Sequence, residues 1–223
     1  MVLSPLRAAR RKAGLSQHSA AARLGVSQAY YSQLESGARA LVEKLAARAV
    51  ARLDASPSVL PLPELSATWR SLSADRLTSA LAALGYPPFE HLRRSSKLVN
   101  PAMVVVGVLA HSNLDVRLVE ALPWVLSQFS DLDASWLAAQ SRLLNVQNRL
   151  GYVVALADEG TGTPRLTQLL SDLESSRLAG EGTLCRDSMP RAEREWVRKN
   201  RPAAAEHWRL LTTLTREQLP YAA

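Results

Sequence analysis

LSQHSAAARLGVSQAYYSQLESG, residues 15–37, reads as two short helices joined by a tight turn. Ser16 stands where a first helix needs a side-chain oxygen for its free N–H groups, and Ser27 stands where a second one does. Between them Gly25 can take the left-handed backbone that ends a helix. Each boundary therefore has its own chemical cause.

That spacing is the signature of a helix-turn-helix, in which the second helix enters the major groove of DNA. Charge supports the reading independently. Residues 1–53 hold nine Lys or Arg against two acids, a net of +7, whereas the other 170 residues hold eighteen of each sign. All of the net attraction to a polyanion thus sits on the segment that carries the motif.

The 223 residues suit one or two domains, and with 47% hydrophobic residues they can bury a sizeable core. The longest apolar run, Ala102 to Ala110, is too short to span a membrane and is interrupted by Gly107. Arginines occupy the N-terminal stretch where an export signal would need apolar residues, and the single cysteine, Cys185, leaves no internal disulfide framework. The expected location is the cytoplasm. Alanine, leucine and arginine dominate, and only Met103 to Val108 looks strand-like, so an all-α protein is expected.

The first helix is expected from about Ser4 to Ala13, and a fourth from about Leu41 to Leu53 with Leu41, Leu45, Ala49 and Leu53 on one side. These helices define a DNA-binding domain over residues 1–55. Residues 56–66, with Pro57, Pro61 and Pro63, read either as a linker or as an ordered extended segment that packs through Val59, Leu60 and Leu62. A larger helical domain follows over 67–223. Its expected helices run from Ser73 to Leu84, Pro101 to Leu109 and Val116 to about Phe129, the last with a kink or break at Pro123. One long helix is expected from Asp133 through Asp158, with Trp136, Leu143 and Leu150 at seven-residue spacing. Arg165 to Leu178, Pro190 to Asn200 and Pro202 to about Leu214 complete the set, and Ala179 to Met189 reads as a loop.

Leu6-Arg7-x-x-Arg10, Gly14-Leu15-Ser16-Gln17, Leu24-Gly25-Val26-Ser27, Ser32-x-Leu34-Glu35 and Gly37 together resemble the XRE-type, or lambda-repressor-like, helix-turn-helix family. The resemblance covers roughly the first 55 residues and implies a DNA-binding bundle of four or five helices. On such a recognition helix Tyr31 and Leu34 fall inward, which leaves Gln28, Ala29, Ser32 and Gln33 facing base edges. A Gln amide can both donate to and accept from adenine, and an Ala methyl can touch a thymine methyl. Gln17 resembles the family's phosphate-binding glutamine, with Ser27 and Tyr30 adding backbone contacts. Arg39 and Lys44 either reach flanking phosphates or belong to a general basic surface. Arg10 and Glu35 resemble a pair that ties the first helix to the third. The chain departs from the family in a small Ala20 and a bulky Tyr31, a combination that can conserve core volume.

Nothing in the second half has the spacing of a nucleophile triad, phosphate loop, dinucleotide fingerprint or metal site, so no enzyme, cofactor or metal is expected. Asn145, Gln147, Asn148 and Arg149 form a polar cluster between Leu144 and Leu150 that is either a buried network, a partner-recognition face or an exposed helix side. Trp196 and Trp208 lie in short charged helices, which suits an interface role. A bundle of this size reads one half-site, so a homodimer on double-stranded DNA with a palindromic operator is expected. The leading expectation is a transcriptional repressor of its own operon. By family analogy alone its helical second domain would bind and neutralise a partner toxin, as an antitoxin does. The alternative is a repressor whose second domain binds a small molecule.

Overall fold

The computed structural model describes residues 4–69, 71–95, 97–159, 162–219 and 221. The chain is built of α-helices, with one pair of two-residue strands among the described residues. Helices α1 (Pro5–Lys12), α2 (Gln17–Leu24), α3 (Gln28–Ser36) and α4 (Glu43–Leu53) form the N-terminal bundle. Their ends follow the chemistry read from the sequence. Ser4, Ser16 and Ser27 each accept an N–H of the first turn, from Arg7, Ser19 and Tyr30. Gly25 and Gly37 end α2 and α3 at φ 70 and 79, where a Cβ would be strained.

The bundle core joins Leu6, Ala20, Leu24, Tyr31, Leu34, Leu45, Ala49 and Leu53. Tyr31 and Ala20 are both fully buried in it, so the large ring and the small side chain fill one interior together. Each buried leucine contributes about 1.5–3 kcal/mol relative to exposure.

Residues after α4 do not hang free. Pro57–Val59 forms a 3-10 turn, and the Asn100 amide donates to the carbonyls of Ser58 (3.1 Å) and Leu60 (2.6 Å). The Trp136 indole N–H donates to Pro63 O at 3.0 Å, and the Gln140 amide closes a two-way pair with the backbone of Ser66 (3.0 and 2.7 Å). The extended backbone of a proline-rich stretch lacks partners of its own, so side chains of later helices supply them.

A second and larger core is built by α5 (Ala74–Leu84), α6 (Pro101–Leu109), α7 (Val116–Gln128), α8 (Ala134–Leu143), α9 (Gln147–Asp158) and α10 (Pro164–Glu174). Helix α9 is its centre, packed on α6, α7, α8, α10 and on α12 (Ala203–His207). Helix α11 (Arg191–Asn200) lies outside it, and strands β1 (Gly182–Thr183) and β2 (Leu210–Leu211) pair in parallel.

The helix expected from Pro101 to Leu109 is α6, and the strand-like look of Met103 to Val108 comes from its burial almost all round, which removes the amphipathic pattern that normally marks a helix. Several expectations are corrected. The long helix from Asp133 is two helices. Asn145 sits at φ 56, and Val146 N–H returns to Ser141 O at 2.9 Å, the bond pattern of a helix stop with Asn in the left-handed position. Leu143 is consequently 43% exposed and leaves the expected stripe. Helix α7 is not broken at Pro123, because Leu118, Leu122, Val125 and Leu126 on both sides of it are buried in one core. The last long helix stops at His207; Arg209 at φ 56 turns the chain into β2, which pairs with the stretch expected to be loop.

Candidate nucleic-acid interface

The site grows from one buried carboxylate. Glu35, in the last turn of α3, is 1% exposed. Arg10 of α1 donates its Nε to Glu35 Oε1 at 2.8 Å and an Nη to Leu15 O at 2.8 Å, while Arg7 stands 3.7 Å from the same carboxylate. The other oxygen, Oε2, accepts from the Gln17 amide at 2.5 Å, and Gln17 Oε1 accepts from Gln28 Nε2 at 3.0 Å. A carboxylate removed from water needs such partners. The result is a chain of bonds, Arg10–Glu35–Gln17–Gln28, running from the interior to the surface of the motif.

Its functional meaning lies in what remains free. Gln28 keeps its carbonyl oxygen and a second amide N–H, held in place before any ligand arrives. Gln28, Ala29 and Gln33 are exposed and Ser32 is half-buried, while Tyr31, Leu34 and Glu35 face inward. Ser27 uses its hydroxyl oxygen as the cap acceptor, so its proton is available to a phosphate. Tyr30 is half-buried beneath the Arg39 guanidinium, 4.9 Å from the ring centroid, and Arg39 N–H donates to Gln33 O at 3.2 Å. Lys44 is exposed on the first turn of α4. Burial pushes the Tyr31 phenol up to about 12, with the Glu35 carboxylate adding to the rise and Arg10 opposing it. Tyr31 is therefore an uncharged part of the wall behind the exposed face of α3.

Two residues with structural work were missed from sequence. Arg48 and Arg52 on α4 donate to the carbonyls of Leu24 and Arg23, both at 2.9 Å, and so cap the C-terminal end of α2. Their four-residue spacing was the available signal. Part of the net +7 is thus engaged in holding the bundle together.

The six residues singled out for a partner do not form one surface: Asn145, Asn148 and Arg149 line one cleft, whereas Trp196 and Trp208 lie elsewhere. Asn148 forms a two-way pair with the backbone of Leu178 (3.0 and 2.8 Å), and Gln147 donates to Ser176 O at 3.1 Å; both are 5% exposed. Arg149 donates to the carbonyls of Leu109, His111 and Thr183 and pairs with Asp187 at 3.1 Å. These three tie α9 to neighbouring segments. Trp208 is 3% exposed and lies over Gly151, where an added Cβ would run into the indole ring. Asn145 and Trp196 are exposed, the latter by 59%.

Burial pushes the Cys185 thiol up to about 11, which disfavours a thiolate. Among the described residues no group of His, Cys, Asp and Glu is arranged to hold a metal ion, and no helix is long and apolar enough to cross a membrane.

A capped recognition helix with an exposed amide-rich face, backed by a buried ion pair on a basic four-helix bundle, defines a DNA-binding module. Comparison agrees: residues 6–59 match the helix-turn-helix family model, and this segment is a DNA-binding domain of the XRE, or lambda-repressor-like, type found in transcription regulators. No curated protein and no solved structure matches the chain.

Proposed function

We propose that the protein is a sequence-specific repressor of its own operon that binds a palindromic operator as a homodimer, and that it is a binding protein rather than an enzyme. In this reading residues 1–55 bind DNA, 56–66 connect, and 67–223 serve dimerisation and a protein partner, in the manner of an antitoxin with its toxin. The observation that carries the DNA part is the Glu35–Gln17–Gln28 chain, which orients a base-reading amide from a buried anchor. Gln28, Ala29, Ser32 and Gln33 read bases, and Gln17, Ser27, Tyr30, Arg39 and Lys44 position the backbone.

For the partner, Trp196 is the supporting residue. Its exposed indole and Val116, 58% exposed, both line a cleft of about 400 Å3 that also includes Met189, Val197 and Leu211. Large exposed aromatics beside apolar surface suit an interface anchor.

Selection of bound duplexes from a random pool by the full-length chain tests the DNA part. An inverted repeat with half-site centres about one helical turn apart is expected; enrichment of a single asymmetric half-site, or of nothing, would refute dimeric operator binding. Affinity purification of the tagged full chain and of Trp196→Ala tests the partner part: one stoichiometric protein recovered by the first and lost by the second is expected. A second reading, a ligand-responsive repressor, is favoured by a separate cleft beside residues 60–63.

A further inference from the structure

A cleft of about 710 Å3 opens where residues 60–63 cross α5 and α6, and it lies within the size range of small-molecule sites. Leu60, Leu62, Leu72, Leu98, Val99 and Met103 supply apolar walls. Three charged residues line it: Glu43 at the start of α4, Arg76 on α5, and Lys97. Lys97 and Glu43 pair with one another at 3.0 Å. Arg76 makes no ion pair among the described residues and is exposed, so one cation without an acidic partner stands at the rim of a cleft whose other two charges pair with each other. Ser79 and Ala80 follow Arg76 by three and four residues, share its side of α5 and line the same cleft, so a hydroxyl and a small side chain stand on the wall that carries the cation.

We propose that this cleft binds a small amphipathic carboxylate, with its apolar chain against the Leu60–Leu62 strap and Met103 and its carboxylate on Arg76. A planar guanidinium matches a carboxylate with two parallel hydrogen bonds, and the Ser79 hydroxyl supplies a third donor. One unpaired cation suits a monoanion; a phosphate, with close to two charges, would call for further donors. The apolar walls exclude a purely polar anion by giving it nothing to exchange for its hydration.

The position of the cleft gives such a ligand a consequence. Its walls include Glu43 of the DNA-binding bundle, the strap that leaves α4, and α5 and α6 of the larger core. A ligand seated against these walls touches both the bundle and the larger core, so its binding is expected to be coupled to how the bundle presents DNA. This consequence rests on the DNA-binding reading, whereas binding itself does not.

The test uses the full chain labelled with 13C at its methionine methyls. Met103 lines the cleft, and Met189, in the separate cleft beside Trp196, reports whether the probe merely coats apolar surface. Decanoate, kept below its micelle-forming concentration, is expected to shift the Met103 signal saturably and leave Met189 unmoved. Arg76→Glu, an exposed change that leaves the core intact, is expected to weaken that binding at least about tenfold. Decyltrimethylammonium, with the same chain and the opposite charge, is expected to leave Met103 unmoved. Equal shifts at both methionines, equal response to the cation, or undiminished binding in Arg76→Glu would each overturn the proposal. The titration contains no DNA, so its outcome stands apart from the test of operator binding.

Discussion

At the scale of single residues, the motif depends on Glu35 more than on any residue that faces outward. Removing its carboxylate leaves Arg10, whose side chain is 15% exposed, without its partner and frees Gln17 and, through it, Gln28. Glu35→Ala is therefore expected to lower unfolding free energy by about 3–5 kcal/mol in a urea titration, the usual cost of orphaning one member of a buried pair. A loss under about 1 kcal/mol would show that the pair does not anchor the motif. The outward residues behave differently. Gln28→Ala with Gln33→Ala is expected to leave stability unchanged and to reduce the preference for specific over random duplex by about 1–3 kcal/mol for each bidentate amide–base pairing removed. Salt-dependent binding to random DNA should survive; equal weakening on both DNAs would place the reading face elsewhere.

At the scale of elements, boundaries are decided by a few backbone positions. Ser27→Ala removes the acceptor for Tyr30 N–H and is expected to cost about 1 kcal/mol of stability. Asn145, at φ 56, is what splits α8 from α9. Glycine accepts that conformation freely, whereas a β-branched residue resists it. Asn145→Gly is thus expected to melt within a few degrees of the parent, and Asn145→Val to be less stable by about 1–2 kcal/mol. Comparing the two melting curves separates backbone strain from loss of the Asn side chain. If valine were tolerated as well as glycine, the left-handed position would not be what ends the helix.

At the scale of the whole molecule, long-range packing adds constraints that no single element carries. Gly151 of α9 lets Trp208 of the C-terminal segment lie against the helix, at a spacing that an added methyl would violate. Gly151→Ala is expected to destabilise by about 1–3 kcal/mol, and the same change in a Trp208→Ala background to cost much less, a coupling that a double-mutant cycle reads directly. Tyrosine burial sets an alkaline limit. Tyr31 and Tyr86 are raised from an ordinary 10.0 to about 12, chiefly by burial. Tyr152, whose hydroxyl donates to Leu214 O, is shifted the same way. Unfolded chains release these protons first. The stabilisation they give is therefore whole below pH 10 and lost as pH rises from 10 to about 12. The urea midpoint should fall across that window, and Tyr31→Phe should make the fall shallower.

The sequence by itself determined the motif and its boundaries. Serine caps, left-handed glycines and the inward places of Tyr31 and Leu34 rest on interactions within a few residues, and those are written in local order. For the same reason the basic N-terminal charge and the α5 boundaries were legible. Helix α6, buried almost all round, is placed by its proline start and not by any periodic signature, and Asn145, a local helix stop, is masked by the apolar spacing that runs on past it. Tertiary structure alone decided the rest. For Gln147, Asn148 and Arg149 the sequence leaves a buried network, a recognition face and an exposed helix side open; they form a network because backbone carbonyls some thirty to forty positions away need donors, and nothing local announces such a need. The role of Asn100 as a clamp on residues 58–60, and the cleft beside Arg76, likewise exist only once distant segments have met.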